Sequence, residues 1–336
     1  MSGEAMTVDA TVAAAEKWFI HHGLPYFVDS ERDAVRQGLR PRRLIPALLG
    51  SALLGVAVGI LLGRVTDSVS AGIGSAMTFA GIGVALYAVT TLRAWPIARW
   101  AVARTLKSLG LLFPLVTRAL PLLLLFVTFL FINAEVWQVS ATLDGGVMWV
   151  TVLLFTGLAT GFLLARLPEE LDRVDDEIAV ERLATVTRGT PLADAARTLT
   201  ESGQDVIPHE VEVHGFQKAN LLLVLLIAQF VQVLLLSSSV FLFFIVFGVV
   251  AMKEEVVTSW TGDKALSYPF GEALLVSTEL IQVSVFLAAF SGLYFTVYAV
   301  TDEVYRTQFF TSITDELERA VGARTVYHFL KSQPAG

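Results

Sequence analysis

Six long apolar runs, at 44–63, 71–92, 119–137, 146–165, 221–252 and 273–300, alternate with polar stretches along the chain. A helix needs roughly 20 residues to cross a hydrocarbon core, and these runs are long enough. None shows the strict apolar–polar alternation of a barrel strand. The pattern predicts an all-α transmembrane bundle of six spans arranged as three hairpins. It divides the chain into a lead-in (1–43), spans one to four (44–165), a polar helical hairpin (166–220), spans five and six (221–300) and a tail (301–336).

The polar stretches carry helical signals of their own. Ala10–Ile20 has helical apolar spacing, Gly23 is placed to stop that helix, and Asp29 or Ser30 can cap a second one to about Gln37. Segment 93–109 is too charged to span. Arg93, Arg104 and Lys107 gather on one side of its wheel, opposite Trp95, Val102, Leu106 and Leu109, as in an interfacial helix lying on the inner leaflet. Pro114 and Pro121 bend the entry to span three, and Arg118 can snorkel back to the interface. Pro168, Glu169 and Glu170 make a helix start, with the helix running to about Thr187, and Thr190-Pro191 restarts one that Ser202-Gly203 ends. In the tail, Ile313, Leu317 and Val321 share a face, and the two polar pieces are expected to dock together. Segment 221–252 is too long for one span: 32 helical residues reach ~48 Å. It either tilts and protrudes or bends near Ser237, Ser238 and Ser239.

Charge then orients the bundle. Of the 24 Lys and Arg residues, 21 fall in the alternate stretches that include both termini, and three (Arg64, Lys253, Lys264) on the other side. Positively charged loops stay cytoplasmic, so both termini are expected inside the cytoplasmic membrane. Arg40, Arg42 and Arg43 meet the membrane where anionic lipid headgroups would lie. Mean hydropathy of +0.65 agrees with a membrane class. The net charge of −7 says little about partners, and no basic run supports nucleic-acid binding. Without cysteine there is no disulfide framework and no thiolate chemistry. Forty-three mostly polar residues precede the first run, unlike a cleavable signal peptide.

Small residues recur at four-residue spacing: Ala47, Ser51, Gly55, Gly59 and Gly63 in span one, answered by Gly72, Ala76 and Ala80 in span two. Ser284, Ala288, Gly292 and Thr296 repeat the pattern in span six, and Gly157, Gly161 and Ala165 in span four. Such stripes let helices approach closely, within the chain or in a homo-oligomer.

Polar residues inside spans are costly and point to function. Asn133 and Glu135 lie toward the outer end of span three, Gln229 and Gln232 in span five, Glu279 and Gln282 in span six. An ion or proton path would need Glu135 and Glu279 to share a pocket with Gln232 and Gln282; otherwise the glutamines are interhelical hydrogen-bond glue. His209, Glu210, Glu212 and His214 are permissible metal ligands, but their spacing fits a solvated loop face better. No metal site or cofactor is expected. No P-loop, GxSxG, HExxH or GxGxxG signature occurs, and no histidine neighbours Ser237–Ser239.

LLLVLLIAQFVQVLLL followed by VFLFFIVFGVVA resembles uncharacterised polytopic membrane proteins of high-GC actinobacteria, best over spans five and six. The resemblance implies a cell type and no activity. Function is therefore expected to be that of a non-catalytic membrane-complex or accessory component, with partners reached through 166–220 and 301–336. The alternative is a transporter or channel for an ion, proton or small solute; an enzyme ranks third.

Overall fold

A computed structural model describes residues 8–107, 123–177, 182–202, 213–262, 266–271, 275–301 and 303–332. Every regular element among them is helical. Five helices are long and apolar enough to cross a membrane, and six if one bent pair counts as a span, which marks a multi-pass membrane protein.

The chain opens with α1 (Val8–His21), a 3₁₀ turn (Pro25–Phe27) and α2 (Asp29–Gly38). Gly23 ends α1 with φ of +73°, a conformation glycine adopts without steric cost, and a Cβ there would press on Trp100. Asp29 does not cap α2. Val28 holds the N-cap position without a side-chain bond, and Asp29 stands in the first turn, where its charge suits the helix dipole.

Spans α3 (Pro41–Val65) and α4 (Val69–Thr91) form a hairpin capped by Ser68, whose hydroxyl accepts from the Ala71 N–H. Gly55 and Gly59 lie directly on α4. A Cβ on Gly55 would stand 2.5 Å from the Ala76 carbonyl oxygen, and one on Gly59 2.6 Å from that of Gly72. Ser51 in turn leaves no room for a side chain at Gly83. Then α5 (Ala94–Lys107) packs Ile97, Ala101 and Thr105 inward against span five and leaves Trp95 and Leu106 exposed. Leu109, Pro114, Arg118 and Pro121 lie outside the described residues.

The third apolar run is not one helix. α6 (Leu123–Phe131) and α7 (Ala134–Ala141) meet at 75°. Asn133 makes the break: its side-chain oxygen accepts from the Glu135 N–H (2.8 Å) and starts α7. The Trp137 indole donates to the Phe131 carbonyl (2.6 Å), a group the ended helix leaves unbonded. Phe131 stacks on Phe244 at 4.7 Å, which pins the corner to span five.

Pro168 does not start a helix. α8 (Gly145–Glu177) runs through it, forgoing the one bond the proline nitrogen cannot donate. Two short helices follow, α9 (Leu183–Val186) and α10 (Ala193–Ser202). Span five, α11 (Gly215–Ala251), is a single 37-residue helix with no break at the serines; it starts six residues earlier than the apolar run and protrudes at that end. After α12 (Glu254–Trp260) come α13 (Thr278–Thr301) and α14 (Glu303–Ser332). Half of the apolar window of α13 is buried, against 6% for α4 and α8, so α13 is the central span.

Because α14 packs on α1, both termini lie at one end, here termed the terminal end. The foot of α11 reaches into it. Asn220, fully buried, accepts from the Tyr26 N–H and donates to the Gly23 carbonyl, each at 2.9 Å. Leu317 and Val321 of α14 are buried there, and Arg182 pairs with Glu318 at 3.5 Å, joining the two polar pieces. The side chain of Ile313 lies outside the described part.

The glycine contacts give a stability test. Gly59→Leu forces apart two backbones in contact and is expected to cost about 1–3 kcal/mol or more. Ile60→Leu, on a face that is 52% exposed, should be close to neutral in the same thermal melt. Equal tolerance would show that the hairpin does not pack along this stripe.

Candidate functional site

Between α8, α11 and α13 the bundle leaves a groove of about 610 Å³. On α8 it runs from Gly145 to Leu163 and on α13 from Thr278 to Thr296, about 27 Å at 1.5 Å rise per residue. Phe230, Leu234, Ser237, Ser238 and Phe241 of α11 close the lower half. The polar groups at the mouth are Asp144, Thr278 and Gln282; below them the walls are aliphatic residues, Met148, Trp149, phenylalanines, small residues and hydroxyl residues. Among the described residues Asp144 is the one ionisable residue in the lining. Its backbone is fixed by Ser70, whose hydroxyl donates to the Asp144 carbonyl (2.6 Å) and accepts from the Gly146 N–H (2.8 Å).

The residues expected to form an ion path are dispersed around this feature. Gln282 lines the groove, with its amide donating to the Leu143 carbonyl at 3.1 Å. Asn133 is occupied as a helix cap, and Glu135 is exposed in the first turn of α7. Glu279 stands in the first turn of α13 with one carboxylate oxygen enclosed and unbonded. Since α7 packs on α13, the two glutamates belong to neighbouring elements, but neither lines the groove.

Gln229 and Gln232 are buried inside the bundle, and both atoms of each carboxamide lack a partner. They do not line the groove either. Unpaired amides in an apolar interior are costly, so these two are the strongest polar anomaly of the spans. On α13, Ser284 and Ala288 are buried and Gly292 lies against Val233 and Ser237 of α11, whereas Gly157 and Gly161 face open space.

His209, Glu210 and Glu212 lie outside the described residues, and His214 occupies the N-cap position of α11 without a capping bond. Among the described residues no group of three His, Asp or Glu is placed to hold a metal.

A second polar cluster, at the terminal end, escapes any sequence reading because the partners that join its helices stand 107 to 311 positions apart. Tyr327 donates to Glu16 (2.8 Å), Lys331 donates to Asp29 (2.5 Å), and Arg32 pairs with the same carboxylate. Arg324 donates to Gln217 (2.6 Å), whose amide lies 3.4 Å from the His328 ring. Burial, and then the charge of Arg324, hold the His328 imidazole down to about 4. Burial and the hydrogen bond to Glu16 raise the Tyr327 phenol far above its usual value. These groups tie α1, α2, α11 and α14 into one block.

No known protein family, curated protein or solved structure matches this chain.

Two measurements follow. Gln229→Leu and Gln232→Leu each remove an unpartnered carboxamide, so the thermal midpoint should hold or rise, by the equivalent of about 1–3 kcal/mol; a fall would reveal a partner for the amide. His328 is neutral when folded but protonates near pH 6.5 when released. Its depressed value therefore stabilises fully above pH 6.5 and is lost as pH falls toward about 4. The midpoint of the purified protein should drop between about pH 7 and about pH 5, and His328→Gln should flatten part of that slope.

Proposed function

We propose that this chain is a multi-pass protein of the cytoplasmic membrane, with both termini inside, and that it works as a non-catalytic component of a membrane complex. The continuity of α11 carries the reading. One helix rises from Gln217 and Asn220, bonded into the terminal-end block, through the full apolar span to Ala251. A protein bound to α9, α10 or α14 is then coupled rigidly to the membrane bundle. The excess of Lys and Arg at the terminal end, 21 of 24, supports its cytoplasmic placement. Arg93 and Arg104, flanking and within α5, pair with Glu31 (2.7 Å) and Glu316 (3.0 Å), so part of that charge also fastens the block to the spans.

A second reading, transport of an ion or proton, is favoured by the unpaired carboxamides of Gln229 and Gln232. The first reading is preferred because, among the described residues, the only carboxylate at the groove lies at its mouth, and Gln229 and Gln232 lie off it.

Two experiments test the proposal. A fluorescent-protein fusion at the C-terminus should be bright, and alkaline phosphatase inserted in the 142–144 loop should be active; the reverse pattern would overturn the orientation. Purification of the full chain from its native membrane after cross-linking should yield a stoichiometric partner, with cross-links on α9, α10 or α14. Solitary homo-oligomers that dissipate an ion gradient in vesicles, and lose that activity in Gln232→Leu, would decide for transport.

A further inference from the structure

We propose that the groove between α8, α11 and α13 is a lipid site: it holds one acyl chain of a bilayer phospholipid whose amine-bearing headgroup rests against Asp144. The site stands whether the chain serves a complex or a path.

Shape limits the occupant first. A volume of about 610 Å³ drawn out over about 27 Å, the depth of a hydrocarbon core, makes a slot. It is too thin for a second helix, which measures about 10–12 Å across with its side chains. One extended hydrocarbon chain fits.

The wall chemistry agrees. Six hydroxyl side chains line the slot among the described residues, and three of them spend their protons on their own helices. Thr156 donates to the Val152 carbonyl (2.8 Å), Thr160 to Thr156 (2.7 Å) and Thr296 to Gly292 (2.8 Å). A threonine turned back on its own helix presents its methyl group outward, so these positions act as apolar wall. Ser237 and Ser238 add small residues at mid-depth, and the rest of the wall below the mouth is Met148, Trp149, Phe155, Phe230, Phe241, glycine and aliphatic side chains. Hydrocarbon is the matching content.

Charge selects the headgroup. The carboxylate of Asp144 is exposed at the mouth, and no Lys or Arg lines the slot. Its surroundings are acidic too. Asp67, Glu135, Glu254, Glu255 and Glu279 all belong to this end, against Arg64 and Lys253 among the described residues. An anionic headgroup is disfavoured there, and a protonated amine is attracted. The zwitterionic phosphatidylethanolamine type supplies both the amine and the chain.

The test uses the full chain in vesicles of phosphatidylethanolamine and phosphatidylglycerol, with a trace of phosphatidylethanolamine bearing a photoactivatable group midway along one acyl chain. After irradiation, adducts should concentrate on Phe155, Ala159, Val285 and Ala289 and should saturate. Unlabelled phosphatidylethanolamine should compete about two- to fivefold better than phosphatidylglycerol of the same chains, the worth of one exposed ion pair. Asp144→Asn should erase that preference and keep the adducts. Ala289→Phe, and separately Ala159→Phe, should abolish the groove adducts while leaving those on the lipid-facing Leu53 and Leu61 of α3. Adducts no denser in the groove than on Leu53 and Leu61, or a preference for phosphatidylglycerol, would overturn the proposal. Cross-links between two copies through the groove in place of lipid adducts would overturn it as well. If the filled variants fail to fold, the wild-type adduct map and Asp144→Asn still decide.

Discussion

Inside a hydrocarbon slab no water stands ready to take up a freed peptide group, and the local structure of this chain answers that constraint repeatedly. Several of the described helix ends carry their own donor or acceptor. The clearest case is the corner between α6 and α7, where Asn133 caps the new helix and the Trp137 indole occupies the carbonyl the old one releases. Ser68 does the same for α4 at the tip of the first hairpin. Serines and threonines along the spans turn their hydroxyls to the carbonyl one turn back, as Ser75, Thr90, Ser291 and Thr296 do. Against this background the unpaired carboxamides of Gln229 and Gln232 stand out, each with two unbonded atoms, beside single unbonded oxygens on Ser140, Ser284 and Glu279.

That economy also explains what the sequence could and could not disclose. Span existence is legible because twenty apolar residues in a row have one economical destination, and the limits of α3 and α4 follow the apolar runs to within a few residues. The stop at Gly23 is legible because a positive φ calls for glycine. The break at Asn133 is hidden, since Asn133 beside Glu135 reads as a polar pair inside a span until it is seen to cap α7 and Trp137 to bond to Phe131. Pro168 misleads for the opposite reason: proline marks helix starts, but it is also tolerated inside a long helix that gives up one bond. The length of α11 reads as an anomaly, and its cause lies in Gln217 and Asn220, whose partners sit near both ends of the chain.

The candidate sites show the same division. Gln229, Gln232 and Gln282 are noticeable as polar residues in apolar runs, and their differing fates are not. One is held by a loop carbonyl at a groove, and two are enclosed without partners. The groove itself leaves almost no sequence signature, because its lining mixes ordinary apolar residues with threonines that look like routine helix contacts. Asp144 is a single acid in a short loop and gains meaning only from the slot beneath it.

The mouth of that slot is also where the outer hairpin is attached. α3 touches little besides α4, and α4 meets α8 where Gly74 and Gly146 approach so closely that a Cβ on Gly146 would stand 2.6 Å from the Gly74 nitrogen. Ser70, on the same turn of α4, holds the backbone on both sides of the Asp144–Gly145 junction through one hydroxyl. The hairpin is thus tied to the bundle at the loop end through the residues that set the position of Asp144, and at the terminal end through Tyr87, whose hydroxyl donates to the Gly38 carbonyl (2.6 Å). A shift of α4 along α8 would carry the carboxylate with it. Occupancy of the slot and placement of the hairpin are therefore mechanically linked, because the backbone that fixes one is hydrogen-bonded to the backbone that fixes the other.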